Sequence, residues 1–216
     1  MSTDITEIAT AHGTARIWKD RSRHPQVTLV LGHGAGGGPE AVDLAALARH
    51  LPREGVSVVR VEQPWRVAGK RVAPSAKVLD ECFITVTDKL RVRTPLVVGG
   101  RSAGARCAAR TAHEMGASGL LALAYPLHPP GRPERSRLDE LDAVQLPTLV
   151  VQGERDALGR PEEFPPRHEL AVVPEADHSF AVPKRGDVTA AEALAVVVEA
   201  TLEWIVRDVV GNRAQA

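Results

Sequence analysis

The chain has 216 residues, 44% of them hydrophobic and 25% charged, with 27 basic residues balancing 27 acidic ones. That length is enough for a sizeable core, and the even charge gives no electrostatic case for nucleic acid or a membrane surface as a partner. No apolar run is long enough to cross a bilayer.

In chain order, residues 1–10 and 211–216 are expected to be loosely ordered at the ends of a single domain spanning 1–216. Within the first stretch and just after it, 5–8 and 14–18 carry the pattern of two short edge strands meeting at Gly13. The first twenty residues mix Asp4, Glu7, Arg16 and Lys19 where a signal peptide needs an apolar stretch, so none is expected. Residues 26–31 read as a buried strand running into Gly32-His33-Gly34-Ala35-Gly36-Gly37-Gly38. Pro39 suits the first turn of a helix whose apolar face is Leu44, Leu47, Ala48 and Leu51, with Pro52 ending it. A β-branched strand follows at 56–61, then a long loop over 63–71. Leu79, Cys82, Phe83, Val86 and Leu90 recur at helical spacing.

Further strands are expected at 96–98, 120–124, 148–151 and 170–173. Helices are expected after 98, closing near Gly116, and over 136–143. The final helix opens with Thr189 and Glu192 spaced as a capping box, with an apolar stripe of Leu194, Val197, Val198, Leu202, Ile205 and Val209. Strands alternating with helices imply a mostly parallel sheet covered on both faces, whose ligands bind beyond the carboxyl ends of the strands. The unusual segments of this chain all fall at such ends.

One of them is Gly100-Arg101-Ser102-Ala103-Gly104, set between an apolar run and an Ala-rich stretch. It matches the G-x-S-x-G elbow, in which a serine sits on a strained strand-to-helix turn and glycines on either side allow close approach. A serine hydroxyl needs a base near neutral pKa, and the base needs a carboxylate to orient it. The order serine, acid, histidine selects Ser102, Asp156 and His178, each just after a predicted strand. Glu154 and Asp177 compete for the acid position. His33 and His128 fail the order as bases, and His12, His24, His50, His113 and His168 read as surface residues.

The N–H of Ala103 and that of Ala35 (or Gly34) are placed to form an oxyanion hole. The glycine run lacks the Lys-Ser/Thr pair of a nucleotide loop, and Glu62 is a weak stand-in for a ribose ligand, so dinucleotide binding is the lesser option. Trp65, Arg66, Lys70 and Arg71 form a basic loop beside an aromatic ring. Either it is a solvated loop, or it meets an anionic or acyl substrate through Trp65 and Arg66. Arg101 has the same two options, substrate contact or pairing with a carboxylate, and His128 is a further substrate-contact candidate. No metal and no cofactor are expected. Cys82 and Cys107 lack the spacing of a metal or redox pair and read as reduced core residues of a cytoplasmic protein.

Taken together, Gly32-His33-Gly34-Ala35-Gly36-Gly37, Gly99–Gly104, Tyr125-Pro126-Leu127-His128-Pro129-Pro130-Gly131, Val151-Gln152-Gly153-Glu154-Arg155-Asp156 and Asp177-His178-Ser179-Phe180 resemble the α/β-hydrolase superfamily. More narrowly, the chain is similar to its small lidless branch, related to dienelactone hydrolases. The resemblance implies the α/β-hydrolase fold, with a central sheet flanked by helices on both faces and no lid domain, and a triad of Ser102, Asp156 and His178. Ala103 stands where the branch often has a larger residue and Ala105 where glycine is common. Neither change removes a backbone N–H. Two functions are therefore expected in competition. One is an esterase- or thioesterase-like serine hydrolase acting on a small ester, thioester or amide. The other is a non-catalytic or partner-dependent scaffold that keeps the fold.

Overall fold

A computed structural model describes residues 3–211. Eight strands form one sheet: β1 (Asp4–Thr10), β2 (Gly13–Asp20), β3 (Val27–Gly32), β4 (Val56–Glu62), β5 (Leu96–Arg101), β6 (Gly119–Leu123), β7 (Thr148–Gly153) and β8 (Glu169–Val173). Their order is β1-β2-β4-β3-β5-β6-β7-β8. From β4 to β8 every neighbouring pair is parallel, while β2 pairs antiparallel with both β1 and β4.

The β1–β2 hairpin corrects the expectation of a loose first segment for residues 4–10, while residues 1 and 2 of that expectation lie outside the described residues. Residues 4–10 pair in unbroken register with 13–19, from Asp4 opposite Lys19 to Thr10 opposite Gly13. Gly13 supplies the positive φ of 116° at the turn. Gly211 closes the C-terminal helical stretch, and residues 212–216 of the expected tail lie outside the described residues.

Alternation along the parallel strands sends side chains to two separate cores. Leu29, Leu31, Leu121 and Leu123 face one side, where they meet Leu44 and Leu47 of α1 (Val42–His50). The same core takes Val197 and Trp204 of the C-terminal helix, Ala190–Trp204, whose N-terminus carries the expected Thr189–Glu192 capping box. Val30, Val98, Leu120 and Ala122 face the other side. There they meet Phe83 and Val86 of the helix Ala76–Leu90, and Ala105, Ala108 and Ala109 of the helix Ala103–Thr111. In chain order the helices after α1 are α2 (Pro64–Val67), α3 (Ala76–Leu90), α4 (Ala103–Thr111), α5 (Leu138–Asp142) and α6 (Ala190–Trp204).

Two local expectations change. Pro39 does not open α1, which begins at Val42, because Ala41 N–H closes a turn on the Gly38 carbonyl and the Pro39 carbonyl accepts from Arg60 Nη1 at 2.8 Å. The 63–71 loop also contains a helical turn, α2, with Pro64 in its first position. Between β6 and β7 the chain holds only α5, so no lid domain stands over the sheet's carboxyl edge. Among the described residues, no helix is long and apolar enough to cross a membrane.

The glycines at that edge set how closely its loops approach. A Cβ on Gly153, the last residue of β7, would stand 2.6 Å from the Ala176 carbonyl and 2.7 Å from that of Asp177. We therefore expect Gly153→Ala to destabilise the fold by about 1–3 kcal/mol, measured by urea unfolding. Gly36→Ala, where a Cβ meets nothing within 4 Å, is the control and should leave the unfolding midpoint in place. Equal midpoints for the two variants would refute the close-approach argument.

Candidate active site

Strand β5 ends at Arg101 and α4 begins at Ala103, so the chain reverses direction through Ser102. Ser102 has φ 53° and ψ −113°, a strained conformation for a residue with a Cβ. The turn closes because Gly100 and Gly104 flank it. A Cβ on either would press into the Gly32 carbonyl at the end of β3. The Ser102 N–H donates to Leu123 O at 3.0 Å, and its carbonyl accepts from Arg106 N at 3.1 Å, which starts α4. The side chain therefore stands at the positive end of that helix.

His178 Nε2 lies 2.9 Å from Ser102 Oγ, and His178 Nδ1 lies 2.8 Å from Asp156 Oδ2. The carboxylate fixes the tautomer: Nδ1–H donates to Asp156, leaving Nε2 to accept from the serine hydroxyl. The competing acids point elsewhere. Glu154 Oε2 accepts from Glu175 N at 2.7 Å, and Asp177 Oδ1 accepts from Ser179 N and Ala181 N within its own loop.

Asp156 is fully buried. Its Oδ1 accepts from Leu158 N at 2.8 Å, and its Oδ2 accepts from Gln152 Nε2 at 2.9 Å as well as from His178. Gln152 is a residue that sequence reasoning missed. It too is fully buried, donating from Nε2 to Gly159 O at 2.7 Å and accepting on Oε1 from Tyr125 N at 2.9 Å. One amide thus joins the ends of β6 and β7 to the acid loop. The available signal was a polar side chain closing the apolar run Leu149-Val150-Val151.

His33 is the second missed residue. Its Nδ1 is 2.8 Å from Gly34 O, and its Nε2 accepts from Gln63 N at 3.2 Å, so Nδ1–H is the donor to Gly34. Gly37 N also donates to that carbonyl, at 3.3 Å. In a trans peptide the N–H points opposite to the C=O. Pinning the Gly34 carbonyl therefore turns the Ala35 N–H the other way. Ala35 and Ala103 line one narrow pocket with His33, Trp65, Phe83 and Cys107. The backbone of Gly34 packs against Ser102, with 3.4 Å between an added Cβ and the serine Cβ.

The remaining candidates fall outside this row. Trp65 is buried, packs its ring against His33 at 5.7 Å, and walls both the narrow pocket and an open cleft that Lys70 also lines. Arg66 is exposed and faces Glu40 at 3.5 Å. His128 is buried, with Nδ1 3.1 Å from Pro129 O and Nε2 3.2 Å from Glu163, so both ring nitrogens are occupied by the protein. Arg101 is likewise engaged. Its Nη2 donates to His178 O at 3.0 Å and its Nε lies 3.5 Å from Asp43, the carboxylate pairing of its two options. Among the described residues, no three His, Cys, Asp or Glu side chains gather as a metal site. Cys82 and Cys107 are free and buried.

Burial lowers the pKa of His33 below its ordinary 6.5. On acidification the unfolded chain takes up this proton first, so stability present above pH 6.5 is lost as pH falls into the interval below it. Replacing the ring by an amide, in His33→Gln, should flatten the fall in urea midpoint as pH drops below 6.5. An unchanged slope would show that His33 is not held neutral.

A family model described as an alpha/beta hydrolase domain matches residues 25–206. Among solved structures, the chain is similar to XC6422 of Xanthomonas campestris, described as an a/b serine hydrolase without lid. The identity is 20% and the TM-score 0.75, covering 95% of this chain and 94% of that one. It is similar to Est1E of Butyrivibrio proteoclasticus with ferulic acid bound, at 18% identity and TM-score 0.71, covering 93% and 99%. It is also similar to a dienelactone hydrolase of Anabaena variabilis, at 17% identity and TM-score 0.72, covering 96% and 98%. At these identities the likeness is one of fold.

Proposed function

The chain belongs to the alpha/beta hydrolase domain family, and on that premise we propose that it hydrolyses a small ester, thioester or amide through an acyl-enzyme on Ser102. The observation that carries this reading is the unbroken row from Ser102 Oγ through His178 to the buried Asp156. His178 Nε2 takes the hydroxyl proton as Oγ attacks the substrate carbonyl carbon, and Asp156 stabilises the imidazolium that forms. The oxyanion is received by the N–H groups of Ala103 and Ala35, each worth on the order of 3 kcal/mol of barrier. Collapse expels the alcohol, thiol or amine, which leaves with the proton from His178. Water then attacks the acyl-enzyme, giving its proton to His178. Ser102 recovers that proton as the acid departs.

The open edge above β5 favours a small, soluble substrate, because no lid is present to shelter a long acyl chain. Est1E holds ferulic acid in its structure, which makes a short aromatic ester a sensible member of a test panel.

A fluorophosphonate probe read by intact mass should label the wild type once. Ser102→Ala and His178→Ala should abolish the label, and Asp156→Asn should lower kcat roughly 10³- to 10⁴-fold. Folded protein that takes no label would instead support the scaffold reading. Within a panel of esters, kcat/KM should fall as the acyl chain lengthens. Preference for long chains would refute the open-site argument.

A further inference from the structure

Arg101 precedes the proposed nucleophile in the chain, yet its side chain reaches across to the loop that carries the base. The guanidinium is mostly buried, with the side chain 14% exposed. Its Nη2 donates to the His178 carbonyl at 3.0 Å, and its Nε lies 3.5 Å from an oxygen of Asp43 on α1. Its Nη1 stands 3.9 Å from where a Cβ on Gly37 would be, so the same group also abuts the glycine loop. Asp43 is fully buried, and apart from the nearby backbone N–H groups of Asp43 and Leu44 its carboxylate has no polar neighbour at hydrogen-bonding geometry among the described residues. The nearby cation is what such a carboxylate needs: the Arg101 guanidinium meets Asp43 through charge, with Nε itself making no hydrogen bond, while the other arm of the planar group donates to the His178 carbonyl.

We propose that Arg101 is a positioning residue for the reaction, a strut anchored on Asp43 that sets the distance between Ser102 and the imidazole of His178. The inference rests on the hydrolase reading of those two residues. Its logic is geometric: the strut is fastened to the backbone one residue from the nucleophile and ends on the backbone of the base itself. Movement of the 174–180 loop away from the sheet must break that bond. The opposite side of the loop is held separately, by Arg155 N–H on Ala176 O at 2.8 Å and by the tight approach at Gly153.

Asp43 adds an electrostatic part. An unbalanced guanidinium beside His178 would oppose the imidazolium that must form during attack. Of the charged groups around His178, Asp156 bonds the ring, Arg101 bonds the backbone carbonyl and Asp43 interacts through charge, while Asp177 is turned into its own loop. Burial raises the Asp43 carboxyl pKa and Arg101 draws it back down. The two charges therefore belong together, and the informative variant removes both.

The test compares wild type with the double variant Arg101→Gln/Asp43→Asn, and with Arg101→Lys and Asp43→Asn singly. Labelling rate, kcat and KM are measured, together with the downfield proton resonance of His178 Nδ1–H, identified by its loss in Asp156→Asn. The double variant should remain folded, lose about tenfold or more in labelling rate and kcat, and keep KM within about twofold. Its Nδ1–H resonance should broaden. Arg101→Lys should recover only part of the rate, because one ammonium cannot reproduce the fork. Asp43→Asn alone should lower the labelling rate, because the guanidinium left without its carboxylate opposes the imidazolium that must form. A folded double variant with wild-type labelling and an unchanged resonance would overturn the strut. Should the double variant not fold, Arg101→Lys decides the matter by the same two readouts. Wild type that takes no label would refute the hydrolase reading instead, and the resonance would still judge the strut.

Discussion

Strands β3 and β5 and helix α4 come so close behind Ser102 that no side chain fits between them. Gly100 and Gly104 both lie against the Gly32 carbonyl, and the elbow's positive φ is tolerable only because the surrounding contacts over-determine it. The Ala-rich face of α4 serves the same end, since Ala105, Ala108 and Ala109 let the helix axis settle low on the sheet. That packing fixes where a helix N-terminus, a serine hydroxyl and the first free backbone N–H all point. Every other part of the site is arranged around that fixed point.

The loops that approach it are each tied down by one buried polar side chain. Gln152 holds the acid loop to the ends of β6 and β7, His33 holds the glycine loop through the Gly34 carbonyl, and Arg101 holds the base loop through the His178 carbonyl. Each tether includes a backbone carbonyl or N–H that water would otherwise satisfy, and Gln152 adds the Asp156 carboxylate. A loop pinned in this way loses the freedom that would blur the geometry of attack. The shared device explains why a site with no lid can still be ordered.

The elbow and the order of Ser102, Asp156 and His178 were legible in the chain because they depend on local chemistry: glycines beside a serine, and acids and bases just after apolar runs. The tethers were not. Arg101 meets His178 across 77 positions, Gln63 meets His33 across 30, and Gln152 meets Tyr125 across 27. No periodicity marks such pairs, so Arg101 read equally well as a substrate contact. The β1–β2 hairpin was half legible, as two weak strands whose full ladder depends on β2 finding β4. Helix α1 began later than Pro39 implied because the proline carbonyl is committed to Arg60, a tertiary contact that outweighs local preference.

Two aspartates, Asp43 and Asp156, have no exposed surface, and the fold satisfies them in opposite ways. Asp156 receives three hydrogen bonds, from Gln152, Leu158 and His178, and among the described residues no guanidinium or ammonium pairs with it. Asp43 has no side-chain hydrogen-bond donor among the described residues and faces a guanidinium instead. The difference matters to the imidazole of His178, which bonds Asp156 and interacts with Asp43 through charge alone. A carboxylate cancelled by a cation has little field left to offer, whereas one held by neutral donors still acts on its neighbour. The ring of His178 is one-quarter exposed and bonded to the uncancelled acid, so in the proposed reaction a charge on the ring would be met from the dry side. Ser102 and His178 are both half-buried while Asp156 is fully buried, so the row runs from the open edge of the sheet into its dry interior.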